Sequence, residues 1–162
     1  MAVYMGYLIL IGIQALIFFG RKENQIKDSK KKYLMLCCIE LILIAGLRGF
    51  DVGADTGTYL KAYEYYLNMS KSNVLFAKLI YPYDFEWGYF LLTKICAFLG
   101  MPKTMFLFII ACIIYIPLFR AIYKHSRNPY ISILMYFAIG LFSYSLGIFR
   151  QMMAISILLC GL

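Results

Sequence analysis

Ala2-VYMGYLILIGIQALIFF-Gly20 opens the chain with a long apolar run that carries no charge. Such a run is long enough to cross a bilayer's hydrocarbon core as an α-helix, which needs roughly 20 apolar residues. A spanning β-strand would need only about ten. Long unbroken runs therefore select helices, since in lipid only a helix or a closed barrel satisfies every backbone group. The segment does not read as a secretory leader. It lacks a basic start, its apolar run is too long, and no small-residue cleavage site follows.

The rest of the chain extends this pattern. At 63% hydrophobic and 15% charged residues, it is far more apolar than an ordinary soluble domain. The expectation is an all-α, polytopic membrane protein, with about five to six membrane helices and one external loop. Spans are predicted near 2–20, 33–47, 86–99, 104–119, 130–148 and 152–162, the 86–99 segment being a candidate re-entrant piece. The last of these, from Met152, is too short to cross and has no polar cap. Residues 1–162 thus read as the N-terminal part of a longer integral membrane domain.

Charge sets the expected topology. Arg21 to Lys32 holds six basic and two acidic residues, which the positive-inside rule places in the cytoplasm, with the N-terminus outside. The loop from Arg48 to Asp84 balances four basic residues (Arg48, Lys61, Lys71, Lys78) against four acidic ones (Asp51, Asp55, Glu64, Asp84), as an external loop should. Within it, Thr58 to Met69 reads as a helix whose Tyr59, Tyr63 and Tyr66 share one face. That stripe suits an interfacial helix with its rings at headgroup level. If Glu86 to Leu99 spans fully, the basic Arg120 to Arg127 segment falls outside. If it is half-buried, that segment falls inside and Arg150 joins Arg48 and Asp55 on one face; the second arrangement is preferred.

The overall charge of +8 does not point to nucleic acid, because much of it flanks apolar spans and faces anionic lipid. Cys37, Cys38, Cys96, Cys112 and Cys160 all lie in apolar segments. None has metal-ligand spacing with the lone His125, so they read as small hydrophobes. The sequence offers no Walker loop, HExxH motif or Ser-His-Asp set.

Three clusters carry the chemistry. Arg48-Gly-Phe-Asp51-Val-Gly53-Ala-Asp55-Thr-Gly57-Thr-Tyr59 brings one cation, two carboxylates, three glycines and a tyrosine together. Glycines 49, 53 and 57 allow close backbone approach and positive φ. Arginine suits phosphate, and an adjacent carboxylate can accept from a sugar hydroxyl or take its proton. The alternative is a turn, with Arg48 as an interfacial anchor and Asp55 capping the next helix. In the second cluster, Glu86 suits a helix start and Trp87 and Tyr89 suit the interface; a carboxylate beside an indole also suits a sugar ring. The third is Arg150-Gln151, a cation between apolar stretches whose expected partner is a lipid-linked phosphate, Asp51 or Asp55. Glu40 and Lys94 are weaker candidates, paired with each other or inside the bundle.

Taken in order, these clusters resemble the EpsG family of Wzy-like exopolysaccharide and capsule polymerases. Arg48, Gly53, Asp55 and Tyr59 match its first pattern. Glu86, Gly88 and Tyr89 match an acidic-x-Gly-aromatic helix entry, and Arg150, Gln151 and Ala154 match a later Arg-Gln helix start. Thr56 departs from the pattern, which more often has an aromatic there. The resemblance implies a membrane glycosyltransferase joining oligosaccharide units carried on undecaprenyl diphosphate at the outer face of the bacterial cytoplasmic membrane. Asp55 and Glu86 would then be catalytic, orienting or deprotonating the acceptor hydroxyl. Arg48, Asp51, Tyr59, Trp87, Arg150 and Gln151 would bind substrate, the arginines neutralising the diphosphate. No metal or other cofactor is implied. Expected partners are the lipid-linked oligosaccharide, membrane lipids and other polysaccharide assembly proteins. The alternative function is a non-catalytic transporter or scaffold of that assembly.

Overall fold

The computed structural model describes residues 2–19, 26–69 and 86–161. Lys71, Lys78, Asp84 and the Arg21–Gln25 stretch of the basic segment lie outside these residues. The described residues form helices joined by turns, as the long apolar runs require. In chain order these are α1 (Ala2–Phe19), α2 (Ile26–Gly46), α3 (Thr56–Leu67), α4 (Trp87–Phe98), α5 (Lys103–His125), α6 (Pro129–Ala138), α7 (Leu141–Gly147) and α8 (Phe149–Gly161).

Helix α5 is the axis of the bundle and packs most extensively against α2 and α8. The crossing with α2 is close because Gly46 lacks a side chain; a Cβ there would lie 2.5 Å from a Phe108 ring carbon. At the other end of the same pair, Lys30 Nζ donates to the Arg127 carbonyl at 3.2 Å. Helices α2 and α5 are therefore antiparallel. At about 1.5 Å per residue, the 23 residues of α5 reach about 35 Å. It is the described helix that is long and apolar enough to cross a membrane by itself.

The expected continuous span over Tyr130 to Ile148 is instead two helices. Helices α6 and α7 meet at a 63° bend, where Gly140 takes φ +84°. A left-handed residue ends α6 outright, and an apolar sequence gives little warning of it. With α6 and α7 taken as one bent span, the described residues contain up to two span-length units. The remaining apolar helices, including α4 and α8, are shorter, so the count of five to six spans is not reached here.

Large apolar side chains nevertheless cover the outside of the bundle. Ile9, Leu16, Ile17, Leu91, Ile131 and Leu158 are all more than half exposed. Exposed apolar area on this scale marks a contact surface for lipid or protein rather than for water. The five cysteines carry free thiols. Glu40 accepts from Gln14 Nε2 at 2.7 Å, which ties α2 to α1. Lys94 Nζ lies 5.2 Å from the centre of the Phe90 ring.

Helix α3 does not lie with its tyrosines at a headgroup surface. Tyr59, Tyr63 and Tyr66 share a face as their spacing predicts, but that face is buried. Tyr63 stacks on Phe106 at 4.1 Å, and Tyr66 meets Phe90 edge-on at 5.8 Å. The Tyr63 hydroxyl donates to the Met101 carbonyl in the α4–α5 turn. Beside it, Lys103 and Glu64 form an ion pair at 2.8 Å. Tyrosine suits either an interface or a polar-tipped core, and here neighbouring aromatics on α4 and α5 supply the core.

Candidate functional site

The site is assembled at the end of the bundle where α2 stops, α5 starts and α7 hands over to α8. Its foundation is the loop between α2 and α3. Gly53 adopts φ +106°, and a Cβ on it would stand 2.2 Å from the Leu146 carbonyl oxygen. Across the contact, a Cβ on Gly147 would stand 3.0 Å from the Ala54 nitrogen. Two backbones thus touch directly, through glycines 94 positions apart in sequence. Thr56 clamps the joint. Its buried hydroxyl lies 2.8 Å from the Val52 carbonyl oxygen and 3.1 Å from that of Leu146.

This joint sets Phe149 and Arg150 beside the loop. The Arg48 guanidinium lies over the Phe149 ring at 4.8 Å, and the other side of the aromatic cluster is Tyr59, stacked on Phe149 at 4.9 Å. Tyr89 of α4 meets Tyr59 at 5.4 Å. Arg150 then reaches in two directions. Its Nε donates to the Tyr59 hydroxyl at 3.3 Å, and its Nη1 pairs with Glu86 Oε2 at 2.6 Å. Glu86 is a different carboxylate from the Asp51 or Asp55 expected from the sequence.

Magnitude separates stability from function at this pair. The side chains are 31% and 67% exposed, and such pairs contribute about 0–1 kcal/mol.

Glu86 has a consequence for pH. Desolvation pulls its carboxyl upward, but a backbone hydrogen bond and the Arg150 guanidinium outweigh it and hold the carboxyl below its ordinary value. A depressed folded-state value means the pair contributes fully above the unfolded carboxylate range and is lost as pH falls through the lower folded value. We predict that carbon-13 NMR of labelled glutamate shows Glu86 titrating below the ordinary glutamate value, and that Arg150→Gln moves it upward. Unchanged titration in that variant would break the assignment.

The remaining expected residues occupy varied positions. Asp55 stands at the N-cap of α3, yet its side chain makes no capping hydrogen bond, so capping does not account for it. It is exposed, as is Asp51. Trp87 is 76% exposed and meets Phe90 edge-on at 6.0 Å. Gly49 and Gly57 do not take positive φ; Gly57 is an ordinary helical residue, and the close approach at Gly53 is to the protein's own backbone. Beyond the adjacency of Phe149 to Arg150, Phe149 and Gly147 carry no signal in the sequence that assigns them to the site, and Thr56 stands out there only as a departure from the family pattern.

Behind the Arg150–Glu86 pair opens a groove of about 600 Å³ between α4, α5 and α8. Glu86, Arg150 and Gln151 form its polar part, while Leu91, Ile95 and Ile157 line the apolar part. This size is typical of a small-molecule site. A polar head with an apolar tail matches that division.

The match to known proteins covers most of this chain. The EpsG family profile matches residues 31–162, from early α2 to the end of α8, and so includes every residue of the site. No match was found among curated proteins or among solved structures. The family match and the apolar helices together indicate a membrane protein with an exopolysaccharide-related role.

Proposed function

The chain belongs to the EpsG family, and on that premise we propose that it is a polysaccharide polymerase. It joins oligosaccharide units carried on undecaprenyl diphosphate at the outer face of the bacterial cytoplasmic membrane. It does so as one multi-pass domain with its N-terminus outside. The observation that carries this reading is Arg150, held between the Tyr59 hydroxyl and Glu86 at the polar end of an apolar groove.

In the reaction, an acceptor hydroxyl attacks the anomeric carbon of a second unit and the lipid diphosphate departs. Arg150 and Arg48 stabilise the charge that develops on the leaving diphosphate. The low-lying carboxyl of Glu86 suits orientation of Arg150 and of sugar hydroxyls more than proton abstraction, which works best near the operating pH. Asp55, released from capping, receives the acceptor proton. Gln151 and Asp51 hydrogen-bond sugar, and Trp87 offers an exposed ring face for stacking. Other polysaccharide assembly proteins are the natural partners of such a site.

The test is Asp55→Asn in the whole protein in its cell. Expected are short or absent polymer chains, with single lipid-linked units accumulating on the outer face. Accumulation on the inner face would identify a transporter instead. Normal polymer from that variant would remove Asp55 from the chemistry.

A further inference from the structure

We propose that the end of the bundle opposite this site holds an anionic phospholipid, in a groove between α2 and α5. The groove measures about 390 Å³, and Leu34, Ile39, Ile42, Ile116 and Phe119 form its apolar floor. Lys31 and Arg120 line the same groove. Because α2 and α5 are antiparallel, the second turn of α2 and the last two turns of α5 bring these cations to one end. The apolar residues continue from there toward the middle of the bundle. From Lys31 to Ile42 the groove follows α2 for about 16 Å at 1.5 Å per residue.

The three consecutive lysines divide their work. Lys30 donates to the Arg127 carbonyl, and Lys32 lies 3.9 Å from Asp28. Lys31 and Arg120 have no ion-pair partner among the described residues. Two cations at the head of an apolar slot complement one phosphate attached to acyl chains. A free phosphate would leave the slot unused, and a zwitterionic lipid would waste one of the charges. Tyr123, also on the lining, places a hydroxyl at headgroup level, where amphipathic rings are favoured. This groove lies at the end of the bundle opposite the Arg150 site and would bind lipid whatever reaction that site supports.

The experiment is native mass spectrometry of the whole protein with equimolar phosphatidylglycerol and phosphatidylcholine of identical chains. Wild type should retain phosphatidylglycerol preferentially. Near a membrane surface each cation is worth about fivefold in binding, so the Lys31→Gln/Arg120→Gln double variant should lose about 25-fold. Both side chains are exposed, so the variant should fold, which circular dichroism checks. Lys32→Gln/Lys124→Gln removes the same charge from outside the groove and should change retention less than about twofold. Ile39→Trp keeps both cations, fills the slot and should abolish retention. Equal retention of the two lipids by wild type would overturn the proposal. So would an equal loss in the Lys32/Lys124 variant, or unchanged retention in Ile39→Trp.

Discussion

Arg150→Ala should reduce polymer extension about 10²- to 10³-fold, the usual cost of removing one preorganised group that stabilises developing charge. It should lower thermal stability only modestly, because the side chains of the Arg150–Glu86 pair are 31% and 67% exposed and such pairs contribute about 0–1 kcal/mol, with about 1 kcal/mol more from the hydrogen bond to Tyr59. That combination separates a ligand-binding arginine from a structural one. Arg150→Lys sharpens the test. Arginine uses Nε toward Tyr59 and Nη1 toward Glu86, two directions fixed by one planar group. An ammonium keeps the charge but not that fork, so the lysine variant should recover part of the lost rate and stay below wild type. Full recovery by lysine would mean that charge alone matters. A melting temperature that falls in step with activity would mean that Arg150 serves the fold.

The sequence made some of this legible and hid the rest for definable reasons. Apolar runs fixed the helical class, and the Gly100-Met-Pro102 turn is where α4 gives way to α5. The same uniform apolarity concealed which faces point inward. Tyr59, Tyr63 and Tyr66 were recognisable as a stripe, but a tyrosine's amphipathic ring fits a wet interface and a tipped core equally. Gly140 was invisible as a breaker because glycine is common in membrane helices. The Arg150–Glu86 pair joins positions 64 apart, and no local pattern specifies such a partner. Thr56 looked like a mere departure from the family pattern; its clamp on Leu146 emerges only when α7 is in place.

Gly53→Ala should be the most damaging alanine substitution among the described glycines, and Gly57→Ala, four residues away, should be harmless. At Gly53 the added Cβ would stand 2.2 Å from the Leu146 carbonyl oxygen and 2.6 Å from Thr56 Oγ1, on a residue with φ +106°. The nearer obstacle is backbone and cannot rotate away. Left-handed strain costs about 1–3 kcal/mol and overpacking typically another 1–3, a large part of a stability of about 5–15 kcal/mol. The loop would relieve this by moving off the α7–α8 joint, carrying Arg48 away from Phe149. A displacement of about 1 Å at a reactive site can cost about 100-fold in rate, so activity should fall further than the melting temperature alone explains. At Gly57 nothing lies within 4 Å of the added methyl, and alanine inside a helix gains roughly 0.5–1 kcal/mol over glycine. Its variant should match wild type in polymer length and melt slightly higher. If Gly53→Ala retained wild-type polymer and stability, the loop would not be wedged against Leu146. If Gly57→Ala lost polymer with its fold intact, the backbone at Gly57 would have to approach substrate.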